Sequence, residues 1–180
     1  TQSQSTSAGI IGTLPPGAIG AVSTECDFTA IKNSLYKTES AGDGAYTAIG
    51  IETKWGKPLG KYQFIPPTQE TMLKRCEGGD QCTGTQILEE RCWPMQECIM
   101  DEYLKENLDR VRNKAICKNQ LGKTVTGTSA DGKETLTCQV TESGLLAAQH
   151  LGGGGACAAI QANGGVGEDD LGTSIAYYTC

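Results

Sequence analysis

The chain has 180 residues, a length that fits one domain with room for a real core. Its 21 Asp+Glu outweigh 15 Lys+Arg for a net charge of −6, so no basic field is present to hold a nucleic-acid backbone. No apolar run approaches the roughly 20 residues of a membrane span, and no charged-then-apolar leader opens the sequence, so an exported form would already have lost it.

Residues 1–20 are Ser, Thr, Gln, Gly and Pro with a few aliphatics, and Pro15-Pro16-Gly17 blocks a helix, so a flexible arm is expected there. The remainder, 21–180, reads as one domain. A helix can start at Ser23 or Thr24, with Phe28, Ile31 and Leu35 on one stripe. Glu39 lies eleven positions after Phe28, and at about 100° per residue its side chain returns to the same packed face. Ala41-Gly42-Asp43-Gly44 ends this helix, and the segment from Tyr46 to Phe64 reads as a small hairpin of short strands around Gly turns, with Tyr62 and Phe64 on one face and Gln63 on the other.

Pro66-Pro67-Thr68 starts a second helix that buries Met72 and Leu73 and ends near Cys76. From about Gln96 to Lys114, Ile99, Tyr103, Leu104, Leu108, Val111 and, just beyond, Ile116 recur at helical spacing, which predicts a central core helix. Residues 118–138 are polar and partly alternating, with Asp131-Gly132 suited to a tight turn, and predict an inserted surface β-hairpin. Thr141-Glu142-Ser143-Gly144 opens a helix over Leu145 to Leu151. The glycines at 152–155 interrupt it, Ala156 to Gln161 resumes, and a last short helix runs from Thr173 to Tyr178. The glycine run lacks a Gly-Lys-Ser/Thr ending, so it suggests close helix approach or a hinge and not a nucleotide loop.

Nine cysteines are spread along the chain with no Cys-x-x-Cys spacing, and His150 is the sole histidine, a pattern that favours disulfides in an oxidising compartment over structural zinc. Sequence neighbours suggest Cys76/Cys82, Cys92/Cys98, Cys117/Cys138 and Cys157/Cys180, leaving Cys26 over. Cys92 and Cys98 could not pair within one straight helix, because i and i+6 point apart.

The chemistry centres on Glu39. A carboxyl driven into a low-polarity cleft stays protonated near neutral pH and can give a proton to a glycosidic oxygen. Glu39-Ser40-Ala41-Gly42, Tyr46-Thr47-Ala48-Ile49 and Gly60-Lys61-Tyr62-Gln63-Phe64, in that order, resemble the catalytic and substrate-floor motifs of soluble lytic transglycosylases and goose-type lysozyme-like enzymes. Segments 144–153 and 170–174 resemble later stretches of phage and secretion-associated members. The resemblance implies an α+β, mainly α, lysozyme-like fold with a small β-hairpin region and added disulfides. It makes Glu39 the general acid and base and Gln63 the glutamine of the substrate floor, with Lys61 and Tyr62 in place of the two residues that usually precede it and Ala41 in place of a glycine. His150, within Gln149-His150, stands where the family carries a Tyr-Asn pair. Ser40, Tyr46, Lys61, Tyr62, Gln63, His150 and Tyr177 are the implied substrate contacts, with Tyr178 an alternative source of an aromatic hydroxyl.

The implied substrate is a peptidoglycan glycan strand, with a secretion-system or phage structural protein as a further partner, and no metal or organic cofactor is expected. Asp43, Glu52, Glu142 and Asp170 are more simply solvated or capping than catalytic, which favours a substrate-assisted lytic transglycosylase giving 1,6-anhydro ends. Three alternatives stay open. They are a hydrolase of the same bond, a Cys26/His150 peptidoglycan peptidase, and a non-catalytic glycan-binding assembly module. Tyr62 and Phe64 can equally be hairpin core, and His150 a hydrogen-bonded core residue.

Overall fold

The computed structural model describes residues 28–40, 44–129, 131–163 and 174–180, with backbone alone at 38, 40 and 161–163. The chain is mainly α-helical, with one small antiparallel sheet. The expected arm at 1–20 and the helix start at Ser23 or Thr24 lie outside the described residues.

Helix α1 (Phe28–Ser40) turns Ile31 and Leu35 into the core and packs on the later helices α3 and α5. The stripe read from sequence is the buried one, and Glu39 ends it. The following segment, 44–65, departs from the expected hairpin. It holds a 3-10 turn at Ala45–Thr47 and three isolated bridges, Ile49 with Leu59, Thr53 with Gly56 and Leu59 with Phe64, and no strand. Gly56, Gly60 and Gln63 all take positive φ, so the backbone reverses before a ladder can extend. Gly60 is fixed by more than its φ, since a Cβ there would overlap the Gln96 carboxamide. That carboxamide accepts from Lys61 N (2.7 Å) and donates to Tyr46 O (2.8 Å) and Ile87 O (2.8 Å), clamping the whole segment to the core.

Helix α2 (Pro66–Leu73) starts on its two prolines, where a missing N–H is harmless, and buries Met72 and Leu73. Cys76 falls just past its end. Helix α3 (Trp93–Asn113) begins on Trp93-Pro94, earlier than expected from its apolar spacing, and runs through the middle of the molecule. Its Ile99, Met100, Leu104 and Val111 are buried, and truncating one such side chain to Ala typically costs about 2–5 kcal/mol. Ile116 does not continue this stripe. Lys114 is extended, a separate short helix α4 (Ala115–Lys118) follows, and Ile116 is 38% exposed.

The polar insertion is the expected hairpin. β1 (Thr124–Thr128) pairs antiparallel with β2 (Thr135–Gln139), Thr124 opposite Gln139 and Thr128 opposite Thr135, with Asp131-Gly132 in the turn. Helix α5 (Glu142–Gly152) is capped by Thr141, whose hydroxyl accepts from Gly144 N at 3.0 Å. A 3-10 turn over Gly153–Gly155 leads into α6 (Ala156–Asn163). The last helix, α7 (Ile175–Thr179), is capped by Ser174. Ser174 also ties α7 to the hairpin, taking a hydrogen bond from Thr128 N (2.8 Å) and giving its own N–H to Thr128 O (3.1 Å). Gly127 lets these backbones touch, since a Cβ there would overlap the backbone of Tyr177.

Four disulfides brace this arrangement: Cys76–Cys98, Cys82–Cys92, Cys117–Cys157 and Cys138–Cys180. They correct every pair suggested by sequence neighbourhood. Cys92 sits at the N-cap of α3 and Cys98 inside it, so each faces a different part of the preceding loop. Cys117 and Cys157 join α4 to α6, and Cys138 and Cys180 join β2 to the residue after α7. Tertiary packing brings these Cα atoms to 5.0 Å and 5.5 Å, across sequence separations of 40 and 42. Cys26 lies outside the described residues, among which no helix is long and apolar enough to cross a membrane.

Candidate active site

A cleft of about 420 Å³ opens between the end of α1, the irregular 44–65 segment and the C-terminal end of α5. That volume lies within the range of roughly 300–1,000 Å³ common for small-molecule sites. Glu39, Trp55, Gln63, Tyr103, His150 and Gly153 are among the residues on its walls.

The Glu39 side chain is 19% exposed. Its Oε1 accepts a hydrogen bond from the Tyr178 hydroxyl at 3.1 Å and stands 3.9 Å from His150 Nε2. Three elements distant in sequence therefore converge on one carboxyl: α1 brings Glu39, α5 brings His150 and α7 brings Tyr178. Gly144 lets α5 lie against α7, because a Cβ there would overlap the backbone carbonyl of Thr179, whereas a Cβ at Gly152 would press only on the flexible end of the Ile175 side chain at 2.8 Å. Gly153 and Gly155 have open space where a Cβ would stand, so the glycine run is not where the helix backbones meet.

The His150 imidazole is 6% exposed and packs edge-on against Phe64 (5.2 Å between centroids) and Tyr103 (5.8 Å). Burial among these rings lowers its pKa to about 4, with the backbone of Tyr62 pulling weakly the other way, and its Nδ1 has no hydrogen bond of good geometry. At neutral pH the imidazole is uncharged, so at 3.9 Å it neighbours Glu39 without forming an ion pair. Tyr103 gives its hydroxyl to Gln149 O at 2.7 Å, which fixes the aromatic wall behind His150. Gln63 reaches the cleft by a different route from the expected strand alternation. It takes φ +50 in a tight turn, and its side-chain Nε2 donates to Gly60 O at 2.7 Å. A left-handed glutamine costs on the order of 1 kcal/mol and is held by the surrounding turn.

Three of the expected substrate contacts lie elsewhere. Tyr46, Lys61 and Tyr62 surround Glu97 of α3, a residue that sequence reading passed over. Glu97 accepts from Lys61 Nζ (2.7 Å), Tyr46 OH (2.8 Å) and Tyr62 OH (2.9 Å), and pairs with Lys32 Nζ (2.9 Å), which also bonds Asp101 (2.8 Å). Burial opposes its charge, yet the hydrogen bonds from Lys61, Lys32 and the two tyrosines prevail and bring its pKa to about 2. Tyr62 is 1% exposed and cannot touch a ligand. Lys61 Nζ lies within 5.4 Å of the ring centroids of Tyr36, Tyr46 and Tyr62, so it is caged and not offered to the cleft. The helical register held the signal: Glu97 shares a face with buried Met100 and Leu104, where a carboxylate needs partners.

Tyr177 also departs from expectation, since its hydroxyl bonds Glu134 on the hairpin at 2.6 Å while its neighbour Tyr178 reaches Glu39. Ile175 and Tyr178 share the inner face of α7 at i, i+3 spacing, a pattern visible in the sequence. The side chain of Ser40, and Cys26, Asp43 and Asp170 altogether, lie outside the described residues. Among the described residues no group of three or more His, Cys, Asp or Glu gathers where a metal ion could be held. No family model matches the sequence, and no similar curated protein or solved structure is found.

Proposed function

We propose that this chain is a lytic transglycosylase that cleaves the β-1,4 bond between N-acetylmuramic acid and N-acetylglucosamine in peptidoglycan, with Glu39 as its proton-transferring carboxyl. One observation carries the reading: a mostly withdrawn carboxyl stands on the wall of a cleft of about 420 Å³, beside an uncharged imidazole and a tyrosine hydroxyl. The order of the Glu39, Tyr46 and Gln63 motifs adds the resemblance to lytic transglycosylases.

In the proposed reaction the Glu39 acid protonates the glycosidic oxygen as its bond to C1 breaks, and the Tyr178 hydroxyl steadies the carboxylate left behind. The positive centre at C1 then needs an electron pair. Retaining hydrolases take it from a second carboxylate about 5 Å from the first. Glu39 is the one carboxylate among the described residues lining the cleft, so the 2-acetamido oxygen of the substrate closes onto C1 instead. The Glu39 carboxylate next removes the C6 hydroxyl proton, O6 attacks C1 and the acetamido oxygen departs. This leaves a 1,6-anhydro end and restores the acid. Water in place of O6 would give a reducing end.

A Cys26/His150 peptidase is less well supported, because an imidazole whose pKa lies at about 4 is a poor base for a thiol. Four disulfides suit an oxidising compartment, so the proposed setting is the periplasm or an exported particle, alongside a secretion-system or phage structural protein. Incubation with purified sacculi followed by mass analysis of the released fragments tests the reading. Anhydro ends that disappear in Glu39→Gln support it. Reducing ends mark a hydrolase, cut peptides a peptidase, and intact sacculi a binding module.

A further inference from the structure

Trp55 is 55% exposed and stands on the cleft wall that also carries Glu39. Its loop is held firmly. Thr53 and Gly56 exchange backbone hydrogen bonds of 3.2 and 3.0 Å, the Thr53 hydroxyl donates to Gly56 O at 2.7 Å, and Trp55 N donates back to that hydroxyl at 3.0 Å. The turn therefore presents the indole to solvent when a looser loop could fold it away. Ile49 (58% exposed) and Ile51 (74%) are further exposed apolar side chains of the same segment, outside the cleft lining.

We propose that Trp55 is a glycan-stacking platform, a subsite on which the apolar face of an N-acetylated hexose ring rests while a neighbouring glycosidic bond reaches Glu39; the inference rests on the glycan reading above. A pyranose ring carries axial C–H bonds on one face, and their weak positive charge is drawn to the negative face of an indole. Lys54 Nζ stands over the indole at 5.4 Å from its centroid, so a sugar would take the opposite face or displace this side chain. The cleft offers neutral polar partners for the sugar rim in Gln63 and His150. The other tryptophan, Trp93, is stacked on Tyr46 at 5.0 Å and donates its indole N–H to Leu88 O at 3.1 Å, away from the cleft.

The test is a titration of the Glu39→Gln protein with chitohexaose, followed by tryptophan fluorescence and by calorimetry. Saturable quenching is expected, from which Trp55→Phe removes most of the signal while affinity changes by less than about threefold, leaving Trp93 as constant background. Trp55→Ala weakens binding by about tenfold or more with an unchanged melting temperature. Undiminished affinity in Trp55→Ala, or no chitohexaose binding by the Glu39→Gln protein, overturns the inference. The readout is binding, so it is separable from the cleavage assay: loss of sacculus cleavage in Glu39→Gln can stand while stacking fails, and stacking can stand if Glu39→Gln still cleaves.

Discussion

Glu39 and Glu97 are both partly withdrawn carboxylates that accept tyrosine hydroxyls, yet their surroundings differ in kind. Glu97 meets two ammonium groups within 2.9 Å and two phenols, and its charge is so well compensated that it holds a proton only near pH 2. Glu39 meets a phenol and an imidazole that stays uncharged, and it opens on a cleft. A carboxyl ringed by cations is a fastener, and the proton transfer proposed for Glu39 asks for a less compensated charge than that.

The sharpest break is Glu39→Gln. It is expected to lower glycan-strand cleavage by about 10³-fold or more with little change in melting temperature, measured by fragment release from sacculi. Opening Cys138–Cys180 by substituting both cysteines with Ser should cost about 4 kcal/mol, given a loop of 42 residues, and is checked by denaturant unfolding. The same variant should lose cleavage beyond its loss of folded protein, because α7 carries Tyr178.

pH sharpens the comparison further. His150 has a folded pKa of about 4 against an ordinary 6.5, so above pH 6.5 its neutral form carries no penalty. Below that the unfolded chain takes up a proton that the folded chain refuses. Stability then falls between pH 6.5 and about 4 by on the order of 3 kcal/mol. Melting curves across that window should flatten in His150→Phe. Glu97 acts lower on the scale. Its contribution is full above 4.5 and is lost as pH falls toward about 2.

At neutral pH, Glu97→Gln should destabilise the fold by about 2 kcal/mol, a figure discounted for its partial exposure, while cleavage per folded molecule is retained. The smallest effect expected is that of Tyr178→Phe. Removing the hydroxyl from Glu39 should lower kcat about tenfold with KM unchanged, which single-turnover and steady-state assays on soluble peptidoglycan glycan strands would show.

The helices and the inserted hairpin were legible because each writes its burial pattern locally. Ile31 and Leu35, Met72 and Leu73, and Leu145 and Leu146 occupy the faces that their spacing implies. The 44–65 segment was legible only as turns. Its geometry depends on Gln96, from a helix far along the chain, and no local period announces that clamp. Glu39 could be placed on a packed face from α1 alone. Its companions could be placed less well, because the i, i+3 spacing of Ile175 and Tyr178 marks the inner tyrosine but not its partner, and Lys61 looks like a cleft residue until Glu97 is seen beside it. The cysteines mislead for the same reason, since a covalent link records proximity in space.

The Tyr178 to Glu39 hydrogen bond joins positions 139 apart. Closing a loop of that span carries an entropic cost, so the contact holds only while the elements between its ends stay packed. The environment of the carboxyl therefore depends on the last helix staying docked. Cys138–Cys180 fastens the residue after α7 to β2, so replacing that one crosslink would slacken the carboxyl's surroundings and leave the two crosslinks of the α2–α3 half in place.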